Sequence, residues 1–322
     1  MRYRPLGNTG VMVSEIGFGA WGIGGSMWLG AEDAESMRAL HRAADLGMNF
    51  FDTALVYGRG HSERLVRRLL KERPETLIVA TKIPPKNNRW PARPGTKISE
   101  VFPYDYIIKQ TEQNLKNLGR EVIDLQQFHV WLDEWEEEPE WYEAIAQLKG
   151  EGKIRFFGVS INDHQPSSAL QLARSGKVDA LQVIYNIFDQ SPERELFPLC
   201  REKGIGILAR VPLDEGGLTG TIRPDTTFPE NDWRNNYFRE DRKQQVFERT
   251  ERLGALLGEE ASSLPELALR FCLHHEATST VIPGMRTVRH VEMNAAFSDG
   301  RQLSPQLVQR LREHVWERNF YA

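Results

Sequence analysis

The feature that most constrains the fold is an alternation, repeated eight times, of short apolar segments with helical segments. Strand segments such as LIVA at residues 77–80 are apolar at every position, which indicates that both faces of the strand are buried. A parallel sheet covered by helices produces this pattern. Eight such units within 322 residues predict a closed (β/α)8 barrel, a TIM barrel, rather than an open sheet.

Smaller elements are predicted at both ends of the barrel. The turn GNTG at residues 7–10 lies between two short β-like pieces and predicts an N-terminal hairpin. Ser62 is the expected N-cap of the second helix. Helices are predicted at residues 33–46, 104–118, 140–149, 167–175 and 195–203, with extra C-terminal helices at 288–296 and 305–318. Because no linker divides the sequence, residues 1–322 are expected to form a single domain.

Composition excludes several classes of partner. A net charge of −4 gives no electrostatic reason to expect binding to a nucleic acid. No apolar run approaches the length of a membrane span, and the N-terminus lacks the apolar segment of a secretory signal. Cys200 and Cys272 lie in apolar helical segments and are expected to be reduced thiols. The sequence therefore predicts a soluble, cytoplasmic protein and leaves the oligomeric state open.

Polar residues close the apolar strands. Asp52 ends FFD, Lys82 follows LIVAT, and His129 follows DLQQF. The later strands carry Ser160, Gln182, Asn186 and Arg210 at or near their ends. In a barrel the C-terminal ends of the strands meet at one rim, where such enzymes place their chemistry. Because a buried, unpaired carboxylate is costly, Asp52 is expected to pair with Lys82.

Tyr57 adds a proton donor to this rim. It follows Asp52 by five residues, in a loop that contains glycine. A phenol has a pKa of about 10 and is a poor acid at neutral pH unless its anion is stabilised. The Lys82 ammonium is expected to lower the pKa of Tyr57, while Asp52 keeps the ammonium charged and oriented. With His129 hydrogen-bonded to the same carbonyl oxygen, the set suits protonation of a ketone or aldehyde oxygen while hydride arrives at carbon.

The chain resembles the aldo-keto reductase family from end to end. The motifs that carry the resemblance are FDTALVYG, the lysine after LIVAT, DLQQFH, GKIRFFGVS, LQVIYN, RVPLDEGGLTG and VIPGMRTVRHVEMN. The resemblance implies a (β/α)8 barrel that uses NADPH, less often NADH, to reduce carbonyls to alcohols. It also implies that Tyr57 is the proton donor, that Lys82 and Asp52 lower its pKa, and that His129 orients the carbonyl.

The same resemblance implies a cofactor site. Ser160 and Gln182 match the residues that bind the nicotinamide carboxamide, and Ile161 displaces the usual amide to Asn162. Arg210 stands where the family often stacks an aromatic ring on the nicotinamide, and a guanidinium can stack there too. The other implied contacts are Leu213 and Gly217 at the pyrophosphate, Gly284, Arg286 and His290 near the 2′-phosphate, and Asn294 at the adenine.

The cofactor is expected to be NADP(H) rather than NAD(H). Arg286 favours the added phosphate dianion through charge-assisted hydrogen bonds. His290 occupies a position where the family often has Arg or Gln, which is a departure from the NADP pattern. GFGAWG at residues 17–22 does not open into a helix, so it is not expected to be a dinucleotide fingerprint. No metal site is expected, because the adjacent His274 and His275 lack ligand spacing.

Two questions stay open at this stage. Trp21, Trp90 and Trp131 are the candidate substrate contacts, and the loop at residues 84–103 is either a lid over the barrel mouth or a packed surface loop. The expected partner is a small-molecule carbonyl whose identity the sequence does not specify. The alternative function is a cofactor-binding regulatory subunit with little turnover, because relatives of this fold serve as channel-associated subunits.

Overall fold

The computed structural model describes residues 1–73 and 76–321. The chain begins with a β-hairpin. Strands β1 (Tyr3–Pro5) and β2 (Met12–Ser14) pair antiparallel, with Tyr3 opposite Ser14. The predicted N-terminal hairpin is therefore confirmed.

The hairpin is followed by eight parallel strands, in which each strand pairs with the next strand of the chain. They are β3 (Phe18–Gly19), β4 (Phe50–Asp52), β5 (Ile78–Ile83), β6 (Ile123–Phe128), β7 (Ile154–Ser160), β8 (Ala180–Ile184), β9 (Gly206–Arg210) and β10 (Thr278–Val281). Parallel bridges join Ile16 to Val281 and Gly19 to Gly284, which brings the two ends of the sheet together. The predicted barrel is confirmed.

Helices follow the strands along the chain. They are α1 (Asp33–Asp45), α2 (His61–Glu72), α3 (Ile98–Val101), α4 (Tyr104–Leu118), α5 (Pro139–Gly150), α6 (Leu170–Ser175), α7 (Leu196–Lys203), α8 (Arg234–Tyr237), α9 (Arg242–Gly254), α10 (Leu264–His274), α11 (Val288–Ala296) and α12 (Pro305–Arg312). None of the helices within the described ranges is long and apolar enough to cross a membrane.

Two local predictions were wrong. The last helix ends at Arg312 rather than near residue 318, because the following segment folds back and the Trp316 amide donates to the Phe188 carbonyl (2.9 Å). The N-cap of α2 is Gly60 rather than Ser62. The Ser62 hydroxyl is instead buried and donates to the Ala20 carbonyl at 2.9 Å.

The core has an inner and an outer part. Inside the barrel, Leu6 and Val13 of the hairpin pack with strand residues that include Phe50, Leu125 and Leu208. The outer part fills the space between strands and helices and contains both cysteines, which are buried free thiols. The hairpin packs into one end of the barrel, and the C-terminal ends of the parallel strands, with their polar residues, lie at one mouth.

A buried carboxylate fixes α2 behind the barrel wall. Glu63 accepts hydrogen bonds from the Thr81 hydroxyl (2.6 Å), the Asn114 amide (2.6 Å) and the Asn117 amide (2.7 Å). Burial raises the pKa of Glu63, and these donors lower it in part. Because Thr81 precedes Lys82 in β5, this network supports the strand that carries the lysine.

The hairpin allows a test of the inner core. Leu6→Ala should lower the free energy of unfolding by about 2–5 kcal/mol, because it removes a fully buried side chain from the barrel interior. Met12 lies in the same hairpin and is 50% exposed, so Met12→Ala should change stability by less than about 0.5 kcal/mol. Urea unfolding followed by tryptophan fluorescence measures both. Equal effects of the two substitutions would show that the hairpin does not seal the barrel.

Candidate active site

The site is built around a buried ion pair. The Lys82 ammonium, on β5, donates to Asp52 Oδ1 at the end of β4 (2.6 Å) and to the Thr53 carbonyl (2.9 Å). The side chains of Lys82 and Asp52 are 0% and 4% exposed. Parallel pairing of β4 with β5 puts Asp52 and Lys82 on the same rim of the barrel. The expected pairing of Asp52 with Lys82 is therefore seen in the structure.

A chain of amides connects the ion pair to the later strands. Asp52 Oδ2 accepts from the side-chain amides of Gln182 (2.8 Å) and Gln127 (3.3 Å). The Ser160 hydroxyl donates to Gln182 Oε1 at 3.3 Å. The ends of β4, β5, β6, β7 and β8 thus share one buried hydrogen-bond network. Gln127 had not been singled out from the sequence, although a glutamine pair within an apolar strand was a visible signal.

Tyr57 completes the network at the barrel mouth. Its hydroxyl lies 3.3 Å from Lys82 Nζ, and the same Nζ atom lies 5.0 Å from the centroid of its ring. Close backbone contact with the first loop fixes this position. A Cβ atom on Gly58 would lie 1.9 Å from the Gly24 carbonyl oxygen, and Gly58 has a φ of +64°, so only glycine fits.

The expected lowering of the Tyr57 pKa is not what the environment produces. Burial raises the pKa of Tyr57 well above 10, and the Asp52 carboxylate raises it further, whereas Arg210 lowers it. Burial also lowers the pKa of Lys82, against the effect of Asp52. The physical reasons are burial, which disfavours the phenolate most, and the carboxylate that holds the ammonium, which also repels a phenolate. Tyr57 is therefore a neutral phenol at physiological pH.

His129 follows β6 and faces the same space. The centroids of the His129 and Tyr57 rings are 6.0 Å apart and meet edge to face. Burial lowers the pKa of His129 well below 6.5, and Lys82 and Arg210 lower it further. The imidazole is therefore neutral at physiological pH, with one N–H donor. Its Nδ1 atom is buried and has no hydrogen-bond partner.

Two of the three predicted tryptophans lie at the mouth. Trp21 stacks on Tyr57 with a centroid distance of 6.1 Å. Trp90 packs edge-on against His129, with ring centroids 6.0 Å apart. Trp233, from the long loop after β9, packs edge-on against Trp21 at 5.2 Å. Trp131 does not contact this space. It is fully buried against Trp135, Trp141 and Phe128, so its predicted substrate contact was wrong.

Asn162 contacts a loop rather than the network of Ser160. Its side chain accepts from the Ala92 amide (3.2 Å) and donates to the Ala92 carbonyl (3.4 Å) and to Gln165 (3.2 Å). These contacts hold both ends of the amide against the loop, which disfavours the predicted contact of Asn162 with the cofactor. The preceding residue, Ile161, is buried.

The loop at residues 84–103 is packed along much of its length. Besides Asn162 at Ala92, it is held by the Trp135 indole, which donates to the Thr96 carbonyl at 2.7 Å. Near its end, Phe102 is fully buried and stacks on Phe128 with a centroid distance of 4.1 Å. Trp90 is 42% exposed and lies beside His129. These contacts favour the packed loop over a mobile lid.

Arg210 is fixed at the end of β9. One guanidinium nitrogen donates to the Ile161 carbonyl (3.0 Å) and to Asp163 Oδ1 (2.7 Å). Its Nε atom is buried without a partner. Asp163, from the loop after β7, had no distinguishing signal in the sequence. The fixed guanidinium lies close enough to Tyr57 and His129 to lower the pKa of each.

The remaining predicted cofactor residues form two groups. Leu213 and Gly217 lie in the turn after β9, where a Cβ on Gly217 would lie 2.4 Å from the Asp214 carboxylate. The second group, Gly284, Arg286, His290 and Asn294, follows β10 and continues along α11. Arg286 donates to the Leu29 carbonyl at 2.9 Å, and burial lowers its pKa. His290 is exposed near Arg286, while Asn294 is buried.

These groups fit a nicotinamide dinucleotide. Hydroxyl and amide groups lie at the ends of β7 and β8, the Arg210 Nε is an unsatisfied donor, and cationic residues lie at the start of α11. Among residues 1–73 and 76–321 there is no cluster of three or more His, Cys, Asp or Glu that could hold a metal ion.

Comparisons with known proteins agree with this geometry. A sequence model of the aldo/keto reductase family matches residues 15–315. The chain is 30% identical over 314 residues to an NADH-specific methylglyoxal reductase of Escherichia coli (strain K12), which covers 92% of this chain and 93% of that protein.

Solved structures give the same result. A glycerol dehydrogenase of Gluconobacter oxydans superposes with a TM-score of 0.79 and 28% identity, over 97% of this chain and 94% of that chain. An aldo-keto reductase of Bacillus halodurans, in its holo form, gives a TM-score of 0.76 and 27% identity over 100% of both chains. Because the match spans nearly the whole barrel, the chain belongs to the aldo/keto reductase family, whose members are oxidoreductases that use NAD(P)H.

Proposed function

We propose that this protein reduces aldehydes or ketones to alcohols with NADPH, and that Tyr57 donates the proton. The observation that carries the proposal is the position of the Tyr57 hydroxyl, 3.3 Å from a Lys82 ammonium that is itself 2.6 Å from Asp52. A neutral phenol next to an ammonium can release its proton as negative charge develops on a carbonyl oxygen.

Each residue at the mouth has a separate task in this mechanism. Tyr57 gives its proton to the carbonyl oxygen, and Lys82 stabilises the phenolate that remains. Asp52 keeps Lys82 charged, and the neutral His129 donates a hydrogen bond that orients the carbonyl. Bound NADPH would supply the hydride that bonds to the carbonyl carbon. Solvent then returns a proton to Tyr57, and oxidation of an alcohol uses the same groups in reverse.

The cofactor is proposed to lie along the rim from β7 to α11. Ser160 and Gln182 would hold the carboxamide, with Arg210 against the nicotinamide ring. Farther along, Leu213 and Gly217 would contact the pyrophosphate. The proposed contacts at the adenosine end are Gly284, Arg286, His290 and Asn294. Asn162 is omitted because its amide is occupied by the loop at Ala92.

NADPH is proposed over NADH because of the charge near α11. Arg286 is held by the Leu29 carbonyl and lies close enough to His290 to lower the pKa of that histidine, as does Arg289. The two arginine cations at one place, beside a neutral histidine that can donate a hydrogen bond, favour a phosphate dianion. NADH is the competing assignment, since the E. coli relative carries the name of an NADH-specific reductase.

The proposed substrate is a small-molecule carbonyl with an apolar part. Trp21 and Trp90 lie beside Tyr57 and His129 and would form walls of the pocket. We also propose that residues 1–322 act as a single domain, because the hairpin and the C-terminal segment both pack on the barrel.

Removal of the Tyr57 hydroxyl tests the proton donor. Tyr57→Phe should reduce kcat by about 100- to 10,000-fold with NADPH and 4-nitrobenzaldehyde, because general acid catalysis contributes that much. NADPH affinity should not change. Tyr142 is 41% exposed on α5, away from the rim, and Tyr142→Phe is the matched control with full activity.

The same assay separates the enzyme from a cofactor-binding regulatory subunit. A regulatory subunit would bind NADPH, as measured by fluorescence titration, without oxidation of the cofactor that depends on Tyr57. Wild-type protein that binds NADPH and turns over no carbonyl across a panel of aldehydes, ketones and sugars would contradict the proposed enzyme.

Arg286 tests the choice of cofactor. Arg286→Met should weaken NADPH binding by about 10- to 100-fold, the value of one or two charge-assisted hydrogen bonds, and should leave NADH binding within about twofold. Dissociation constants for both cofactors, measured on the same protein preparation, provide the test. Equal losses for both cofactors would assign Arg286 to packing against Gly22 and Leu29 and would remove support for the 2′-phosphate site.

Arg210 tests contact with the nicotinamide ring. Arg210→Met should weaken the binding of NADPH and of NADH by the same factor. It should also slow hydride transfer in a single turnover, because the guanidinium lowers the pKa of Tyr57. Asp163→Asn should give a smaller effect of the same kind, since it loosens the guanidinium without removing it. An Arg210→Met variant with unchanged cofactor affinity and unchanged hydride rate would exclude this contact.

A further inference from the structure

The turn after β9 has an unusual backbone. Asp214, Glu215 and Gly216 follow one another with φ values of +52°, +53° and +98°. Residues other than glycine seldom adopt positive φ, and such conformations persist only where surrounding contacts enforce them. Something outside the turn must therefore hold Asp214 and Glu215 in place.

Those contacts come from the C-terminal segment, residues 316–321. The Arg318 guanidinium donates to both oxygens of Asp214, each at 2.6 Å, and the Tyr321 hydroxyl donates to Glu215. The Arg318 and Asp214 side chains are 7% and 1% exposed, so solvent screens their attraction little. Tyr237 adds a hydrogen bond to Asp214 at 3.2 Å.

The C-terminal segment is also held by contacts that do not involve the turn. The Arg318 guanidinium lies 4.3 Å from the Trp316 ring centroid and 4.1 Å from that of Phe320. The Phe320 carbonyl accepts from Arg242 at 2.8 Å. A guanidinium packed against two rings loses little freedom when one of its nitrogens, here Arg318 Nη2, binds both oxygens of a carboxylate. The contact with Asp214 is therefore preorganised.

The turn also lies near the reaction centre. Glu215 is close enough to Tyr57 to raise the pKa of the phenol. The Tyr321 ring packs on Trp233 at 5.6 Å, and Trp233 in turn packs on Trp21. Residues 316–321 therefore contact both the turn and the aromatic side chains beside the mouth.

We propose that Arg318 and Tyr321 are positioning residues that hold the turn at Asp214–Thr219 closed over the pyrophosphate of the bound dinucleotide. This inference rests on the proposed function, which assigns Leu213 and Gly217 of this turn to the cofactor. Neither Arg318 nor Tyr321 touches the reacting atoms. Their loss allows the turn to open and the cofactor to leave, while the chemistry at Tyr57 is retained.

Cofactor release measures this role directly. Arg318→Met should raise the NADPH dissociation rate and the KM for NADPH by about tenfold or more, the effect of losing one strong polar contact. Hydride transfer in a single turnover, at saturating NADPH, should stay within about twofold. Arg318→Lys should restore part of the wild-type value, because it keeps a cation beside Asp214. Tyr321→Phe, which removes one hydroxyl, should shift release in the same direction by a smaller factor.

Controls separate positioning from general stability. Arg312, on α12, pairs with Glu193 and does not contact the turn, so Arg312→Met should release NADPH at the wild-type rate. The melting temperature of every variant is recorded. Should Arg318→Met not fold, Arg318→Lys and Tyr321→Phe decide the matter by their release rates.

The outcomes are distinct. Folded Arg318→Met and Tyr321→Phe variants that release NADPH at the wild-type rate would overturn the positioning role and leave the proposed reductase intact. Wild-type protein that does not bind NADPH or NADH would instead refute the proposed function, and the positioning role with it. Faster release in both variants, with the hydride rate unchanged, supports the inference.

Discussion

The buried ion pair of Lys82 with Asp52 is the interaction on which the site depends. Taking two charges out of water is costly, and their attraction compensates only where the remaining donors and acceptors are also satisfied. That condition is met at this barrel mouth. The three donors of Lys82 contact Asp52, Thr53 and Tyr57, and the second oxygen of Asp52 accepts from two glutamine amides. The pair therefore fixes the positions of neighbouring strand ends as well as the tyrosine.

The same pair determines how Tyr57 can act. A carboxylate beside the ammonium raises the pKa of the phenol, and burial raises it more. The phenol is consequently a weak acid at rest, and in the proposed mechanism it donates its proton because nearby groups stabilise the phenolate. Lys82 and Arg210 are the cations near enough to do so. In the proposed mechanism, proton transfer is promoted by preorganised charge rather than by a resting tyrosinate.

The C-terminal segment shows how distant parts of the chain build one mouth. Arg318 and Tyr321 contact the turn after β9, and their neighbour Trp233 packs on Trp21 from the loop after β3. Residues from both ends of the sequence therefore enclose the same space. The loop at residues 84–103 is fixed on the other side by Asn162, Trp135 and Phe128. The mouth is framed by packed segments rather than by free loops.

By itself the sequence determined the barrel and the polar strand ends. Apolar strands alternating with helices leave few other folds, and a barrel brings Asp52, Lys82 and His129 to one rim whatever the details of packing. Contacts between segments far apart in sequence were decided only by the tertiary structure. Trp131 is buried in the core, Asn162 is hydrogen-bonded to Ala92, and the path of the C-terminal segment brings Arg318 to Asp214. Such outcomes depend on which surfaces meet after folding, and no periodicity within one segment encodes that.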